Sequence, residues 1–476
     1  MNRLKTLLPT VLVAATLGAC ATTTDSASDV AAVKADVATR IPLDPAAFAV
    51  DVGDDPKVKA GVAALLSTPL STDAAMRIAL ARNAEVRAWY ESLGVARAEV
   101  VRAGLLQNPT LDVSAAIFED GTDFELDAMQ SLVSLFTAPL RRARAEAELA
   151  AAQANVKQRF VMLAFDIRRA LLGVRTAEAV AALHRRDLAT TEDVLDLRKK
   201  LAQVGNIFPQ QLTEAEIMVA EVRLLLSAAE SELLTAREPL NVLLGLYGED
   251  ALRWTAAAKP ETAPPALPDD VEQAAIARSL DLALKQAELD AAVQATDAEA
   301  YESAFGDASA GVRVQRETDG ETGVGPAVAV PLPIFDDGGV SRAKGAAKLR
   351  LLAAERSALG VEVRSAARVF RERLRSSAER AAFVEKALLP LAHRRTLEVL
   401  QQYNAMQIGA FDVLDARRDE RKVERSLIEL RDVAETAGCD LDELLAGSLR
   451  RERATAAAEA SKATGEVQDS GKKKGH

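Results

Sequence analysis

The sequence is written twice, and no other feature limits its fold as much. LARNAEVRA at Leu80–Ala88 is echoed by IARSLDLAL at Ile276–Leu284, with Ala81 on Ala277, an offset of 277 − 81 = 196. RARAEAEL at Arg142–Leu149 is echoed by RAKGAAKL at Arg342–Leu349, an offset of 342 − 142 = 200. PLNVLLG at Pro239–Gly245 is echoed by DLDELLAG at Asp440–Gly447. There Leu240 falls on Leu441, an offset of 441 − 240 = 201. The offset drifts by only a few residues, which loops absorb. A repeat of this kind decides the architecture before any single motif does.

Each copy has the same parts. Ser71-Thr72-Asp73 caps a helix expected from about Thr72 to Leu105. Two alternating segments follow, Thr110 to Phe118 and roughly Phe124 to Phe136. In the second copy Ala308, Ala310, Val312 and Val314 alternate with Ser309, Gly311, Arg313 and Gln315. Val324, Val328, Val330, Leu332 and Ile334 continue the pattern on the returning strand. The tips, Glu119-Asp120-Gly121 and Glu317-Thr318-Asp319-Gly320, carry Asp-Gly hairpin turns and enough charge to lie in water. Pro139 is expected to end the first extended pair, and Pro331 and Pro333 the second.

A long helical segment then begins. Leu140 to about Gln203 has no proline and one glycine, Gly173; its roughly 64 residues would measure about 96 Å. The second copy, Ser341 to about Met406, is as long and should kink at Pro390. Helices return over Pro209 to Tyr247 and Phe411 to Gly447. Such lengths call for coiled-coil packing. Aromatics are only 4% of a chain that is 49% hydrophobic, so the apolar content is mostly Ala, Leu and Val, which lets helices pack closely.

The stretch MNRLKTLLPTVLVAATLGAC has the basic start, apolar run and small residues of a secretory signal, and its run is too short for a permanent membrane helix. Leu17-Gly18-Ala19-Cys20 resembles a bacterial lipobox, which makes Cys20 the lipidated N-terminus of the mature chain. The other reading is an ordinary signal with a coincidental cysteine. The domains expected are a signal peptide over 1–19, a lipid-anchored N-terminal linker over 20–70, repeat 1 over 71–247, and a linker or equatorial element over 248–270. Repeat 2 follows over 271–448, then a disordered tail over 449–476. Residues 21–40, polar and alanine-rich, are also expected to be disordered.

The duplicated helix–β-hairpin–long helix–helix plan, with PLPIFDDGG at Pro331–Gly339, resembles the outer-membrane factor family of TolC-like bacterial efflux ducts, lipoprotein branch. The first junction, TAPLRRARAE, lacks the glycines usual there. The fold class expected is therefore mainly α with a small β part. The resemblance implies a homotrimer with a 12-stranded β-barrel and a long α-helical barrel, set in the bacterial outer membrane with its helical body in the periplasm. It also implies partners: a periplasmic adaptor protein, an inner-membrane pump and outer-membrane lipid. Such a duct exports drugs or heavy-metal ions and does no chemistry. The alternative, a periplasmic adaptor or a structural coiled-coil lipoprotein, would have one helical hairpin or no alternating strands.

In YNAMQIGAFDVLDARRDE, Tyr403–Glu420, the resemblance places Asp412 and Asp415 in a ring at the periplasmic gate, with Tyr403 near the closed turn. The same Asp412 serves equally as a helix-start carboxylate, and Tyr403 as a core aromatic. At the offset of 201, Asp412 maps to Gln211 and Asp415 to Glu214. Arg141, Arg142 and Arg144 give the first junction a basic cluster, which suits either lipid phosphates or plain solvation. His184 and His393 lie beside arginines and are expected in solvent, and Met406 is expected to pack.

A net charge of −11 argues against nucleic acid. His184, His393, His476, Cys20 and Cys439 show no metal-ligand spacing, so no metal or cofactor is expected. No nucleophile–base pairing points to an enzyme.

Overall fold

The computed structural model describes residues 25–41, 56–118, 121–257, 268–317 and 319–456. The expected signal peptide, Cys20, residues 119–120 and Thr318 of the hairpin tips, residues 258–267 and the tail beyond 456 lie outside the described residues. Mainly helical, with one small sheet, the chain runs α1 (Ala27–Arg40), α2 (Pro56–Leu66), α3 (Thr72–Arg82), α4 (Ala84–Gly104), β1 (Thr110–Phe118) and β2 (Gly121–Ser131). It continues with α5 (Val133–Gln203), α6 (Pro209–Leu244), a single turn α7 (Asp250–Arg253), α8 (Val271–Arg278) and α9 (Leu280–Phe305). Then come β3 (Ser309–Arg316), β4 (Thr322–Ala329), α10 (Gly339–Phe383), a π-turn (Val384–Leu388), α11 (Leu389–Asn404) and α12 (Ala410–Ala446).

The chain divides into two compact units. Among the described residues, one comprises those of 25–33, 89–154 and 283–356 and holds the sheet. Its four strands are antiparallel in the order β1-β2-β3-β4, so β1 and β4 are the edges. The register sorts the side chains cleanly. Leu111 and Val113 sit opposite Ala128 and Leu126, which sit opposite Val312 and Val314, which sit opposite Pro326 and Val324. The other face carries Asp112, Glu125, Asp127, Arg313 and Gln315. Arg313 donates to both oxygens of Asp127 at 2.9 and 2.7 Å and pairs with Glu125 at 2.7 Å. The apolar face is uncovered: Leu111, Val113, Val312, Val324 and Val328 are exposed, and Ile117 is 84% exposed. In the same unit Val100 of α4 packs on Ala145 and Leu149 of α5.

The other unit comprises the described residues of 34–88, 155–282 and 357–456. Its core sets Val271 and Ala275 of α8 against Val363, Ala367 and Phe370 of α10 and Leu441 and Leu444 of α12. Beside it lies a buried ion cluster. Arg169 of α5 reaches Asp166 at 2.9 Å, Asp440 at 3.1 Å and Glu443 at 2.7 Å. Burial pushes the Glu443 carboxyl up, against the pull of Arg169 and Arg450. Cys439, nearby, is free and buried, and burial pushes its thiol up to about 11. Trp254, after α7, is buried and donates to Asn241 at 2.9 Å, which fixes the start of the stretch expected as a linker.

Five expectations need correction. Residues 27–40 are helical, because Val33, Val37 and Ile41 recur every fourth position and bury one side of α1. Asp29 at its start is gripped by Arg97 at 2.7 and 2.5 Å, and Arg40 at its end donates to the carbonyls of Arg278 and Ala446 at 2.7 and 3.1 Å. The tail is ordered to 456: Leu449 N–H donates to Asp281 at 2.9 Å, and Arg450 pairs with Asp166 at 2.6 Å and Glu443 at 2.9 Å. Pro139 ends no strand: β2 stops at Ser131 rather than near Phe136, and β4 stops at Ala329, short of Val330, Leu332 and Ile334. Pro139 sits inside α5, six residues past its start, where its missing N–H costs one helical bond near an end. The interruption near Pro390 is the π-turn just before it, which widens the helix ahead of the ring and spares a clash. The helix expected over Thr72–Leu105 breaks at Asn83, whose Oδ1 accepts from Glu85 N–H at 2.8 Å and whose Nδ2 donates to Leu243 O at 2.9 Å.

That break has a counterpart. Ser279, between α8 and α9, accepts from Leu282 N–H at 3.2 Å, and Leu280 N–H donates to Gly447 O at 2.8 Å. The glycines ending α6 and α12 press on these breaks. Gly245 has φ +66°, and a Cβ there would lie 2.9 Å from Arg82 O; Gly447 has φ +114°, and its Cβ would collide with Arg278 O. Gly205 also has a left-handed φ, +69°, with open space around it. Gly205→Ala should therefore cost about 1 kcal/mol, the left-handed penalty alone. Gly447→Ala should cost distinctly more and lower the thermal unfolding midpoint further, which scanning calorimetry of the two variants checks. Equal losses would mean that the close approach at Gly447 is relaxed at no cost.

Candidate functional site

The candidate gate residues all lie at the α11–α12 turn. The chain leaves α11 through two crossed bonds, Gln407 N–H to Gln402 O at 3.0 Å and Met406 N–H to Tyr403 O at 2.9 Å. This Schellman arrangement puts Met406 at φ +57°, a conformation that favours glycine. The α5–α6 turn is built the same way, with Asn206 N–H to Leu201 O at 2.9 Å and Gly205 N–H to Ala202 O at 3.0 Å. Met406 thus stands where the other turn has Gly205. It is 94% exposed, not packed as the sequence suggested.

The next helix starts at Gly409. Asp412, three residues on, accepts from Gly409 N–H at 3.0 Å. At the other turn Gln211 Oε1 accepts from Phe208 N–H at 3.2 Å. Asp412 therefore acts as a helix-start acceptor, one of its two sequence readings, and remains exposed. Asp415 is also exposed and has no hydrogen-bond or ion-pair partner among the described residues. Tyr403 is exposed at the end of α11. The structure thus brings Tyr403, Asp412 and Asp415 to one hairpin end.

Sequence reasoning missed the residue that joins the two turns. Arg198, 6% exposed, donates to Gln211 O at 2.5 Å and lies over the Phe411 ring, 4.4 Å from its centroid. Its place in the last turns of α5 reads only as a helix-end cation. The Phe411 contact has no signature in one sequence.

Behind the tip, α12 is tied to three helices. Arg418 pairs with Glu221 of α6 at 3.3 Å and Arg421 with Asp187 of α5 at 3.8 Å. Arg395 of α11 pairs with Asp419 at 2.6 Å. Buried Glu420 accepts from His393 Nδ1 at 2.8 Å and Arg417 at 3.1 Å. Burial works to raise the Glu420 carboxyl, but bonds from His393 and Thr396 and the charge of Arg417 outweigh it and hold it below the ordinary 4.5. His184, expected in solvent, is 8% exposed. Burial pushes its imidazole down, Arg425 pushes it further, and Asp187 opposes both. Among the described residues no group of three His, Cys, Asp or Glu could hold a metal ion, and no helix is long and apolar enough to cross a membrane.

With that geometry in hand, comparison with solved structures is decisive for the fold. A crystal structure of CusC, in a study of its folding and transmembrane channel formation, is 16% identical, with TM-score 0.65; the match covers 84% of this chain and 96% of that one. The outer membrane protein VceC of Vibrio cholerae is 16% identical, with TM-score 0.66, covering 82% and 97%. The open state of the outer membrane channel MtrE of Neisseria gonorrhoeae is 16% identical, with TM-score 0.60, covering 83% and 90%. The chain has the outer-membrane factor fold. No family model and no curated sequence matches it, so the likeness is one of fold. Within that fold the α11–α12 turn is one end of a helical hairpin, and the sheet belongs to the other unit.

The Glu420 bridge generates a pH dependence. Its folded pKa lies below its unfolded one, so the stabilisation is present above the ordinary 4.5 and is lost as pH falls through the lowered folded value. Glu420→Gln should lower the unfolding midpoint at neutral pH, and the gap to the parent should close below pH 4.5. Circular-dichroism melts over this range check it; a gap constant with pH would mean that the carboxylate charge does not matter.

Proposed function

We propose that this chain is one protomer of a trimeric outer-membrane exit duct in a tripartite efflux system, which passes drugs or heavy-metal ions from an inner-membrane pump and a periplasmic adaptor to the exterior. The sheet carries this reading. Its edges, β1 and β4, are open, one face is apolar and exposed, and the other is polar. Strands of 8 to 11 residues suit a tilted crossing of the hydrocarbon layer. Four strands cannot close a barrel whose smallest bacterial form has eight, whereas three copies supply twelve. Pairing β4 of one copy with β1 of the next keeps the barrel antiparallel. Leu111, Val113 and Val324 then face lipid, and Asp127 and Arg313 face a water-filled bore.

In the same assembly the long helices form a hollow periplasmic body. Threefold repetition sets Asp412 and Asp415 as six carboxylates at its entrance, where they concentrate cations and repel anions. Capping Gly409 uses one oxygen of Asp412 and leaves its charge in place. Cys20 carries the lipid anchor, and Tyr403 sits beside the closing turn. The fold shared with the outer membrane channel MtrE supports a conduit rather than an enzyme.

Sedimentation in detergent and planar-bilayer recording test the proposal together. The expected result is a trimer that forms conducting channels; a monomer or dimer as the only folded species overturns it. Asp412→Ala with Asp415→Ala should keep the trimer and weaken cation selectivity. Unchanged selectivity, with only the roughly 0.5–2 kcal/mol of a lost cap, would confine these residues to capping.

A further inference from the structure

At the junction of α4, α5 and β1 lies a cavity of about 540 Å³, lined among others by Arg102, Leu105, Leu106, Arg141, Arg144 and Glu148. Its arginines are unequally served. Arg102 pairs with Glu99 at 2.6 Å, and Arg144 with Glu148 at 2.9 Å and Glu299 at 3.7 Å. Arg141 has no carboxylate among the described residues. Its Nη2 makes two long bonds, 3.3 Å to Leu105 O and 3.4 Å to Ser134 O, and its Nε is shut from water with no acceptor. A guanidinium in this state lacks an anion, and its planar fork matches a phosphate.

Two further observations name the rest of the ligand. Leu105 and Leu106, on the cavity wall, are about half exposed. Leu111, five residues past Leu106, opens the uncovered apolar face of the sheet, at most about 18 Å away along extended chain. An anion-seeking pocket therefore adjoins a surface suited to hydrocarbon. A ligand with one phosphate charge and two acyl chains satisfies both.

We infer that this cavity holds the phosphodiester of a membrane phospholipid, with Arg141 as the main donor, Arg102 as a second donor that can turn from Glu99, and the acyl chains running over Leu105 and Leu106 toward β1. The inference rests on the membrane-barrel reading, which sets the junction at headgroup depth.

Native mass spectrometry of the purified, delipidated full chain in detergent tests it, with dioleoyl phosphatidylglycerol, the matching diacylglycerol and inorganic phosphate as probes. The phosphatidylglycerol should stay bound and the diacylglycerol should not, and millimolar phosphate should not displace the lipid. Arg141→Gln and Arg102→Gln should each weaken retention about tenfold, the loss of a charge-assisted bond. Arg102 is largely exposed, so its variant keeps the test sound should Arg141→Gln fold poorly. Equal retention by parent and variants, or of diacylglycerol and phosphatidylglycerol, overturns the inference. Displacement by inorganic phosphate overturns the lipid as its source. The same spectra report the oligomer: a monomer that retains the lipid sinks the duct and spares the site, and a trimer that does not retain it does the reverse.

Discussion

Unpaired main chain is the constraint on which the rest of this structure depends. Within one chain β1 and β4 each present an edge of N–H and C=O groups with no strand beside it. An edge of this kind is tolerable in water and costs several kcal/mol per group in hydrocarbon. The apolar face between the two edges makes water the wrong solvent for the sheet. One chain cannot satisfy both demands, and the assembly proposed above would meet them by pairing the edges of like chains. The polar face follows from the same alternation: every residue that turns Leu111 or Val312 outward turns Asp112 or Arg313 the other way.

In the helical unit the equivalent problem is the helix end, where carbonyls lose their partners. The chain solves it in matched pairs. Gly245 and Gly447 take left-handed turns against the ends of α3 and α8, and Arg40 supplies a cation to the carbonyls of Arg278 and Ala446. The two tips use the same crossed bonds, yet one has Gly205 and the other Met406. Tolerance of a methionine at φ +57° costs about 1–2 kcal/mol. That strain sits beside the candidate gate.

The parts legible in the sequence were those with a short-range physical signal. Alternation located the four strands but ran β2 and β4 past their ends at Ser131 and Ala329, and the 201-residue echo placed Gln211 and Asp412 at equivalent helix starts, where both accept from the main chain. The parts that were not legible depend on contacts made at a distance. Alanine-rich composition hid the four-residue spacing of Val33, Val37 and Ile41. Arg450 reads as a tail residue until Asp166 and Glu443 are placed beside it. Arg198 and His184 look like ordinary helix-surface residues, and only the neighbouring helices bury them. At the tip, sequence left Asp412 between two roles because a cap and a gate ask for the same residue.

The π-turn at Val384–Leu388 has a consequence for phase. An α-helix advances about 100° per residue, so a π-turn, in effect one residue more than the helix needs, rotates everything after it by that angle. The stripe by which α10 packs, Val363, Ala367 and Phe370, is therefore not the stripe that α11 continues. On α11 the buried position is Thr396, bonded to Ala392 O and Ala416 O, and His393 turns toward Glu420. One residue of slack, placed just ahead of Pro390, sets the azimuth of Tyr403 and of the whole turn that follows.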